Sequence, residues 1–228
     1  MKTSKLLQRL FPFIMMALPW VYVAIIWKEL PAIIPTHFGP SGAPDKFGEK
    51  YMILFAPLAM TVVGIGTYFL LLNIHRIDPK KKYTATTSAV MAKIAVVVIV
   101  LLSAISMLIC YWTLKGRVEG LSVLTGLLGL FMAYLGNLFY SIKPNYFAGF
   151  RLPWALENEE NWRQTHRLAS KVWFAGGLLL ALAGFVLPNR PLIIVLISLI
   201  TVMVLVPTIF SYNFYRKGNP VTNSTTEK

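Results

Sequence analysis

The sequence predicts an all-α integral membrane protein, a bundle of six transmembrane helices with both termini in the cytoplasm. Composition, the lengths of the apolar segments and the distribution of Lys and Arg lead to this prediction. Hydrophobic residues make up 56% of the 228 residues, and the mean hydropathy is +0.62. Such values are typical of integral membrane proteins and exceed those of soluble domains.

Each predicted helix is an apolar segment close to the ~20 residues that cross a bilayer. The six segments are Leu10–Trp27, Tyr51–Asn73, Ala89–Leu114, Leu121–Ile142, Val172–Leu187 and Pro191–Tyr212. The first follows basic residues, as a signal peptide does, but no small-residue cleavage site closes it, so we expect a retained helix. The fifth is short, and we expect it to gain its first turns from residues 167–171.

The orientation follows from the basic residues, since cytoplasmic loops of membrane proteins are rich in Lys and Arg. With a cytoplasmic N-terminus, sixteen Lys and Arg residues fall on the inside and six on the outside. The basic residues behind the net charge of +13 then set the orientation in the membrane and attract anionic lipid headgroups. The charges are spread over four segments without a stacking platform, so we do not expect direct nucleic acid binding.

The first outer loop, residues 28–50, combines prolines and glycines with several apolar residues. Pro and Gly make a long regular element unfavourable, and the apolar residues indicate a packed cap at the membrane surface. His37 and Asp45 have two interpretations: a pH-sensitive or metal-binding pair, or separate hydrogen bonds within turns, which is the commoner case. The candidate residues of this loop are Pro35, His37, Phe38, Pro44 and Asp45.

The most polar internal segment is the cytoplasmic connection 143–171, between the fourth and fifth spans. Asn158 is a candidate N-cap, and Glu159 and Glu160 suit the first turn of the helix that would follow. Arg163 stands four residues after Glu159, which favours an ion pair between them. We therefore expect a helix that starts in the headgroup zone and continues into the fifth span.

We expect the polar residues of this connection to form a hydrogen-bonded cluster that binds or signals to a partner. A purely structural role is the alternative. The candidate residues are Asn145, Arg151, Trp154, Glu157, Asn158, Glu159, Glu160, Trp162, Arg163, His166 and Arg167.

Small residues recur at helical spacing in the fourth and fifth spans, and such stripes let membrane helices approach closely. They are Gly126, Gly129, Ala133 and Gly136 in the fourth, and Gly177, Ala181 and Gly184 in the fifth. We expect these two stripes to pack on each other, with a homodimer contact as the alternative. Cys110 is the only cysteine, and we expect a small buried hydrophobic residue at that position.

Two sequence patterns resemble known families. The outer loop carries Leu30-Pro31, Ile34-Pro35, His37-Phe38, Gly42 and Pro44-Asp45, and it resembles the domain DUF1648. The region from Gly136 to Arg167 is similar to the SdpI domain. It carries Gly136-Asn137, Lys143-Pro144-Asn145-Tyr146-Phe147, Gly149, Arg151, Pro153-Trp154, Glu157 to Glu160, Trp162-Arg163 and Thr165 to Arg167. Phe150 and Leu152, where Ile and Thr are expected, are mild departures.

The resemblance implies a multi-pass protein of the bacterial cytoplasmic membrane, of the SdpI immunity type. Such proteins protect a cell from a secreted toxic peptide, and they are described as tethering a cytoplasmic repressor. Residues 1–88 would form a DUF1648-like region with two spans, and residues 89–220 an SdpI-like region with four spans. Residues 221–228 would be a disordered tail.

The residues leave two other functions as alternatives. A transporter or channel is the first alternative, although we find no ionisable residue at the middle of a predicted span; Lys93 lies near an end. A membrane-embedded metal-dependent enzyme is the second. His37 and Asp45 would lie outside and His166 inside, so they could not share a site, and no H-E-x-x-H pair is present. We therefore expect no catalytic residues, no metal and no cofactor.

Overall fold

The computed structural model describes residues 2–39, 41–79 and 85–218, so the expected disordered tail, 221–228, lies outside the described residues. Most of the described chain is helical. The elements in chain order are α1 (Lys2–Ile26), β1 (Ile33–Phe38), β2 (Pro44–Glu49), a 3-10 helix (Lys50–Leu54), α2 (Phe55–Ile77), α3 (Ala85–Lys115), α4 (Leu121–Phe139), α5 (Pro153–Glu157), α6 (Glu159–Val186) and α7 (Asn189–Gly218).

The described chain is not purely helical, which corrects the all-α prediction. Strands β1 and β2 form an antiparallel hairpin in which Ile33 pairs with Glu49 and Ile34 with Gly48. The register shifts between Pro35 and His37. Both strands are edge strands, and edges and bulges are where a sheet tolerates proline. The prolines that made a regular element unexpected are therefore compatible with a short hairpin.

Five of the described helices contain an 18-residue stretch apolar enough to cross a membrane: α2, α3, α4, α6 and α7. The apolar part of α1, Leu10–Ile26, is shorter. A bundle of membrane helices is thus present, while the sixth span stays a prediction. Helix α6 is continuous from Glu159 to Val186. Its first part, residues 159–171, is polar, and the apolar part that can span begins at Val172.

The small-residue stripes of α4 and α6 pack against each other, as predicted. A Cβ added to Gly129 would stand 2.6 Å from the backbone oxygen of Gly177, and one added to Gly177 would stand 2.4 Å from the backbone nitrogen of Ala133. Real Cβ atoms do not approach backbone so closely, so only glycine fits at Gly129 and Gly177. The two backbones are in direct contact, which maximises dispersion attraction between the helices.

Two hydrophobic clusters lie at the two ends of the bundle. One joins α2 and α3 to α4, α5 and α6 around Met91, Phe139 and Trp162. The other lies under the hairpin and contains Ile34 and Cys110, both at 1% exposure or less. The hairpin is therefore a packed cap, as expected, and Cys110 is a buried apolar side chain.

Candidate functional site

The cap carries the first candidate site. The Nδ1 atom of His37 on β1 lies 2.6 Å from Oδ1 of Asp45 on β2, and both side chains are more than 45% exposed. The two residues thus pair across the hairpin instead of forming separate turn contacts. Within the described residues, no group of three His, Cys, Asp or Glu side chains could hold a metal ion.

The tip of the hairpin contacts the next loop on the same side of the bundle. The backbone N–H of Val118, in the α3–α4 loop, donates to the carbonyl of Gly42 at 3.0 Å. Gly42 has φ +80°, a left-handed conformation that favours glycine. The loops 28–50 and 115–121, both predicted to lie outside, therefore lie together.

An apolar cavity of about 350 Å³ lies between the hairpin and the adjacent ends of α2 and α3. Pro35 and Phe38 from the candidate loop line it, together with Ala59 of α2 and Ile109 of α3. Pro44 is half-buried, and it pairs with Phe38 across the hairpin. The lining is mostly apolar, so an apolar side chain would suit this cavity.

The connection 143–158 on the other side of the bundle is shaped by Asn145. Its Oδ1 accepts the backbone N–H groups of Phe147 and Ala148 at 2.8 and 2.7 Å. Its Nδ2 donates to the carbonyls of Lys143 and Ala148. Asn145 is 1% exposed, and all four hydrogen-bonding positions of its amide are used. The side chain of Asn145 thus stabilises this turn by hydrogen bonds that strand pairing or a helix would otherwise supply.

Asp78 attaches this connection to the end of α2, and the sequence analysis missed it. Its carboxylate accepts the backbone N–H of Tyr146 at 3.1 Å, and the residue is 1% exposed. A lone acidic residue shortly after an apolar span, next to a proline, was the available signal. The partner, Tyr146, is 68 positions further along the chain, so local sequence could not indicate it.

His166 lies at the centre of the cluster and is 1% exposed. The backbone N–H of Phe150 donates to its Nε2 at 3.1 Å, and its Nδ1 lies 2.9 Å from the carbonyl of Trp162. Because a carbonyl can only accept, Nδ1 carries the proton, and because Nε2 accepts, that nitrogen carries none. The ring is therefore neutral. Burial lowers the pKa of His166 from 6.5 to about 4.

Gly149 is required beside this ring. It has φ +96°, and a Cβ added there would stand 2.2 Å from Nε2 of His166. The indole of Trp162 stacks on the ring with centroids 4.0 Å apart, and its Nε1 donates to the carbonyl of Ile142 at 2.8 Å. The loop between α4 and α5 is thus fixed directly onto α6.

A second polar network joins α5, α6 and α7 through Asn161, which is fully buried. Its amide donates to the carbonyl of Ser211 at 3.0 Å, and its Oδ1 accepts the hydroxyls of Ser211 and Thr165 at 2.7 and 3.0 Å. Trp154 donates from Nε1 to the hydroxyl of Ser211 at 3.1 Å. Of these four residues, only Trp154 was among the predicted site residues. The others were missed because residue spacing alone does not distinguish a buried polar helix face from an exposed one.

The helix start is as predicted, with one change of partner. The side chain of Asn158 caps α6 by accepting the backbone N–H of Asn161 at 2.9 Å. Arg163, however, forms its ion pair with Glu160 at 2.6 Å, three residues before it, in place of the expected pair with Glu159. The amide of Gln164 also donates to Glu160. Hydrogen bonds from Arg163 and Gln164 lower the pKa of Glu160, although its side chain is exposed to solvent.

The remaining predicted residues lie at the rim. Arg151 donates to the carbonyl of Tyr146 at 3.2 Å. Glu157 and Arg167 are exposed, and among the described residues neither forms an ion pair. A polar cavity of about 270 Å³ lies against the cluster, lined by Lys143, Glu159, Glu160, Arg163 and His166 together with Tyr140, Ile142, Pro144 and Trp162.

These features define a multi-pass helical membrane protein with a hairpin cap at one face and a buried polar cluster at the other. Two family models match it: the SdpI/YfhL protein family over residues 141–211, and a domain of unknown function, DUF1648, over residues 14–61. The first range contains the cluster and ends at Ser211, and the second contains the cap. The chain thus contains a region that matches the SdpI/YfhL family and a region that matches DUF1648, in agreement with the resemblance of its two sequence patterns.

Comparison with individual proteins agrees with the family models. The chain is 23% identical over 212 residues to "Immunity protein SdpI" of Bacillus subtilis (strain 168), which covers 93% of this chain and 98% of that protein. It is also 40% identical over 60 residues to an uncharacterized protein of Archaeoglobus fulgidus, covering 26% of this chain and 32% of that protein. No solved structure matches the chain.

Proposed function

We propose that this protein is a bacterial immunity protein of the SdpI type, which protects the cell from a secreted peptide toxin acting at the cytoplasmic membrane. The observation that carries the proposal is the similarity to Immunity protein SdpI along 93% of the chain. Six spans, both termini in the cytoplasm and a location in the inner membrane belong to the same proposal.

The hairpin cap is the proposed site of toxin contact. The apolar cavity lies beneath it, on the side of the bundle that the basic residues predict to be outside. The hairpin also carries the exposed pair of His37 and Asp45. Several apolar side chains next to it are exposed, among them Ile33 at 56%, Phe47 at 60% and Tyr51 at 60%. A peptide that lies in the membrane surface would present apolar side chains to such a surface.

Expression in a sensitive bacterium, challenged with candidate peptide toxins including any that is encoded beside this gene, tests both statements. We expect the wild-type protein to reduce killing, and we expect Ala59→Trp, which fills the cavity, to reduce protection at least tenfold. Leu58→Trp is the matched control, because Leu58 is 52% exposed and does not line the cavity. Membrane abundance is measured for each variant.

The outcomes separate the two statements. Absence of protection by an abundant wild-type protein against its matched toxin would refute the immunity function. Protection that survives Ala59→Trp would refute capture in the cavity while leaving immunity intact.

We propose in addition that the buried cluster transmits a change in helix packing to a cytoplasmic repressor. The proposal is supported by the position of the cluster, which joins α5, α6 and α7 and carries Glu160 and Arg163 on its solvent side. Glu160→Gln in the same strains is measured for abundance and for repressor recruitment to the membrane. Lost recruitment at unchanged abundance supports signalling, whereas a proportional loss of both assigns the cluster a structural role.

A further inference from the structure

A groove on the lipid-facing side of the bundle has no role in the sites described above. It lies between α1 and α4 with α3 as its floor, and it has a volume of about 760 Å³. That volume is in the range of sites that hold drug-sized ligands, ~300–1,000 Å³. The lining residues are Phe11, Ile14, Ala92, Lys93, Val96, Val97, Val100 and Tyr134.

The groove continues along α3 into a second apolar cavity of about 280 Å³. The two cavities share Val97, Val100 and Tyr134, and the second extends to Ala104 on α3 and Leu127 on α4. All its residues belong to α3 and α4, whose contact is limited along this stretch. The result is one elongated apolar channel parallel to the helices, a shape that suits a hydrocarbon chain.

One end of the groove is marked by Lys93, whose exposed side chain forms no ion pair or hydrogen bond with any described residue. Lys93 and Lys115 are separated by about 33 Å along α3, at 1.5 Å per residue. The hydrocarbon core of a bilayer is about 30 Å thick. With Lys115 at one interface, the ammonium of Lys93 therefore stands at the opposite interface, at the depth of the lipid phosphates.

We infer that this groove is a binding site for one anionic phospholipid, with an acyl chain along α3 and its phosphate beside Lys93. A phospholipid carries a negative head at one end of a hydrocarbon chain, which matches a cation at one end of an apolar channel. A purely apolar helix of a second protein would fit the walls but would leave the Lys93 ammonium without a counter-charge at the interface. The inference does not depend on the immunity function.

Native mass spectrometry of the full-length protein, released from bilayers with equimolar phosphatidylglycerol and phosphatidylcholine, tests this inference. We expect retained phosphatidylglycerol to exceed phosphatidylcholine about fivefold, which corresponds to ~1 kcal/mol for one lysine near anionic lipid. Lys93→Gln should remove this preference. Lys171→Gln is the matched control, since Lys171 lies at the corresponding polar boundary of α6, away from the groove.

A second variant tests the channel independently of the headgroup. Val97→Trp places a large side chain where the two cavities join, and we expect it to reduce the retention of both lipids while the protein stays monodisperse. Equal retention of the two lipids by the wild type, or an unchanged preference in Lys93→Gln, would overturn the inference. A dimer that Val97→Trp dissociates would assign the groove to a second copy of the chain and would also overturn it.

Discussion

His166 is held by a hydrogen bond on each ring nitrogen, to the backbone of Phe150 and of Trp162. Protonation of Nε2 would break the bond from the Phe150 N–H, because both atoms would then be donors. The burial of the ring adds the cost of removing a charged imidazolium from water. This histidine therefore links the loop to α6 as a neutral ring. Its hydrogen bonds favour a structural role over a role in proton transfer.

The lowered pKa of His166 predicts a pH-dependent stability. The unfolded histidine titrates at 6.5 and the folded one at about 4, so below pH 6.5 the unfolded state binds more protons. Stability should be complete above pH 6.5 and should fall by up to about 3 kcal/mol by pH 4. Thermal unfolding in detergent between pH 4 and 8 measures this loss.

Two variants control for other titrating groups. His166→Gln should be less stable at pH 7 but should show a flatter profile. His75→Gln removes an exposed histidine from the last turn of α2 and should keep the wild-type profile. A wild-type profile that His166→Gln leaves unchanged in shape would show that another group is responsible.

The α4–α6 pair is the element contact on which the cluster depends. Helix α6 carries Asn161, Trp162 and His166 on its polar part and the small-residue stripe on its apolar part. A displacement of α6 at the stripe would therefore move the whole cluster with it, since the helix is continuous. This geometry links packing within the membrane to the arrangement of the cluster.

Two alanine substitutions on α4 test the stripe. Gly129→Ala would bring a Cβ within 2.5 Å of the backbone nitrogen of Ala181, whereas a Cβ at Gly126 meets nothing within 4 Å. We expect Gly129→Ala to destabilise the protein by roughly 1–3 kcal/mol through overpacking. Gly126→Ala should be neutral or slightly stabilising, because alanine favours helix.

The comparison is made by thermal unfolding in detergent, with the yield of monodisperse protein as a second measure. Equal stability of the two variants would contradict the close approach of α4 and α6. A selective loss of a dimer, with the monomer intact, would instead favour the homodimer interpretation of the stripes.

At the scale of the whole molecule, the loops that connect the helices lie at two opposite ends of the bundle. The Gly42–Val118 contact joins the hairpin to the α3–α4 loop, and the Asp78–Tyr146 contact joins the end of α2 to the connection 143–158. This arrangement agrees with the alternation expected of successive spans, while the orientation relative to the membrane rests on the basic residues.

Cysteine labelling in intact cells tests the orientation. In a Cys110→Ala background, we expect an impermeant thiol reagent to label Ser41→Cys and Arg117→Cys, and to label Glu157→Cys only after permeabilisation. The reverse pattern would invert the topology. A tag at the N-terminus on the same side as Ser41 would show that α1 does not cross, leaving five spans.

The sequence by itself determined the membrane class, the positions of the apolar helices, the Asn158 cap and the small-residue stripes. Each of these depends on local composition or helical spacing, which a single chain displays directly. The close packing of the two stripes was predicted because small residues have few other uses at that spacing in a membrane helix.

Only the tertiary structure decided the partners of the polar residues. Asp78 accepts a hydrogen bond from Tyr146 and Asn161 donates one to Ser211, in each case across a long stretch of chain. Arg163 forms its ion pair with Glu160. The hairpin escaped prediction because strand pairing is a non-local interaction that intrinsic propensities of Pro and Gly oppose. The hydrogen-bond partners of a side chain depend on which elements pack against its helix. The spacing of residues along one helix does not identify the residues of the neighbouring element.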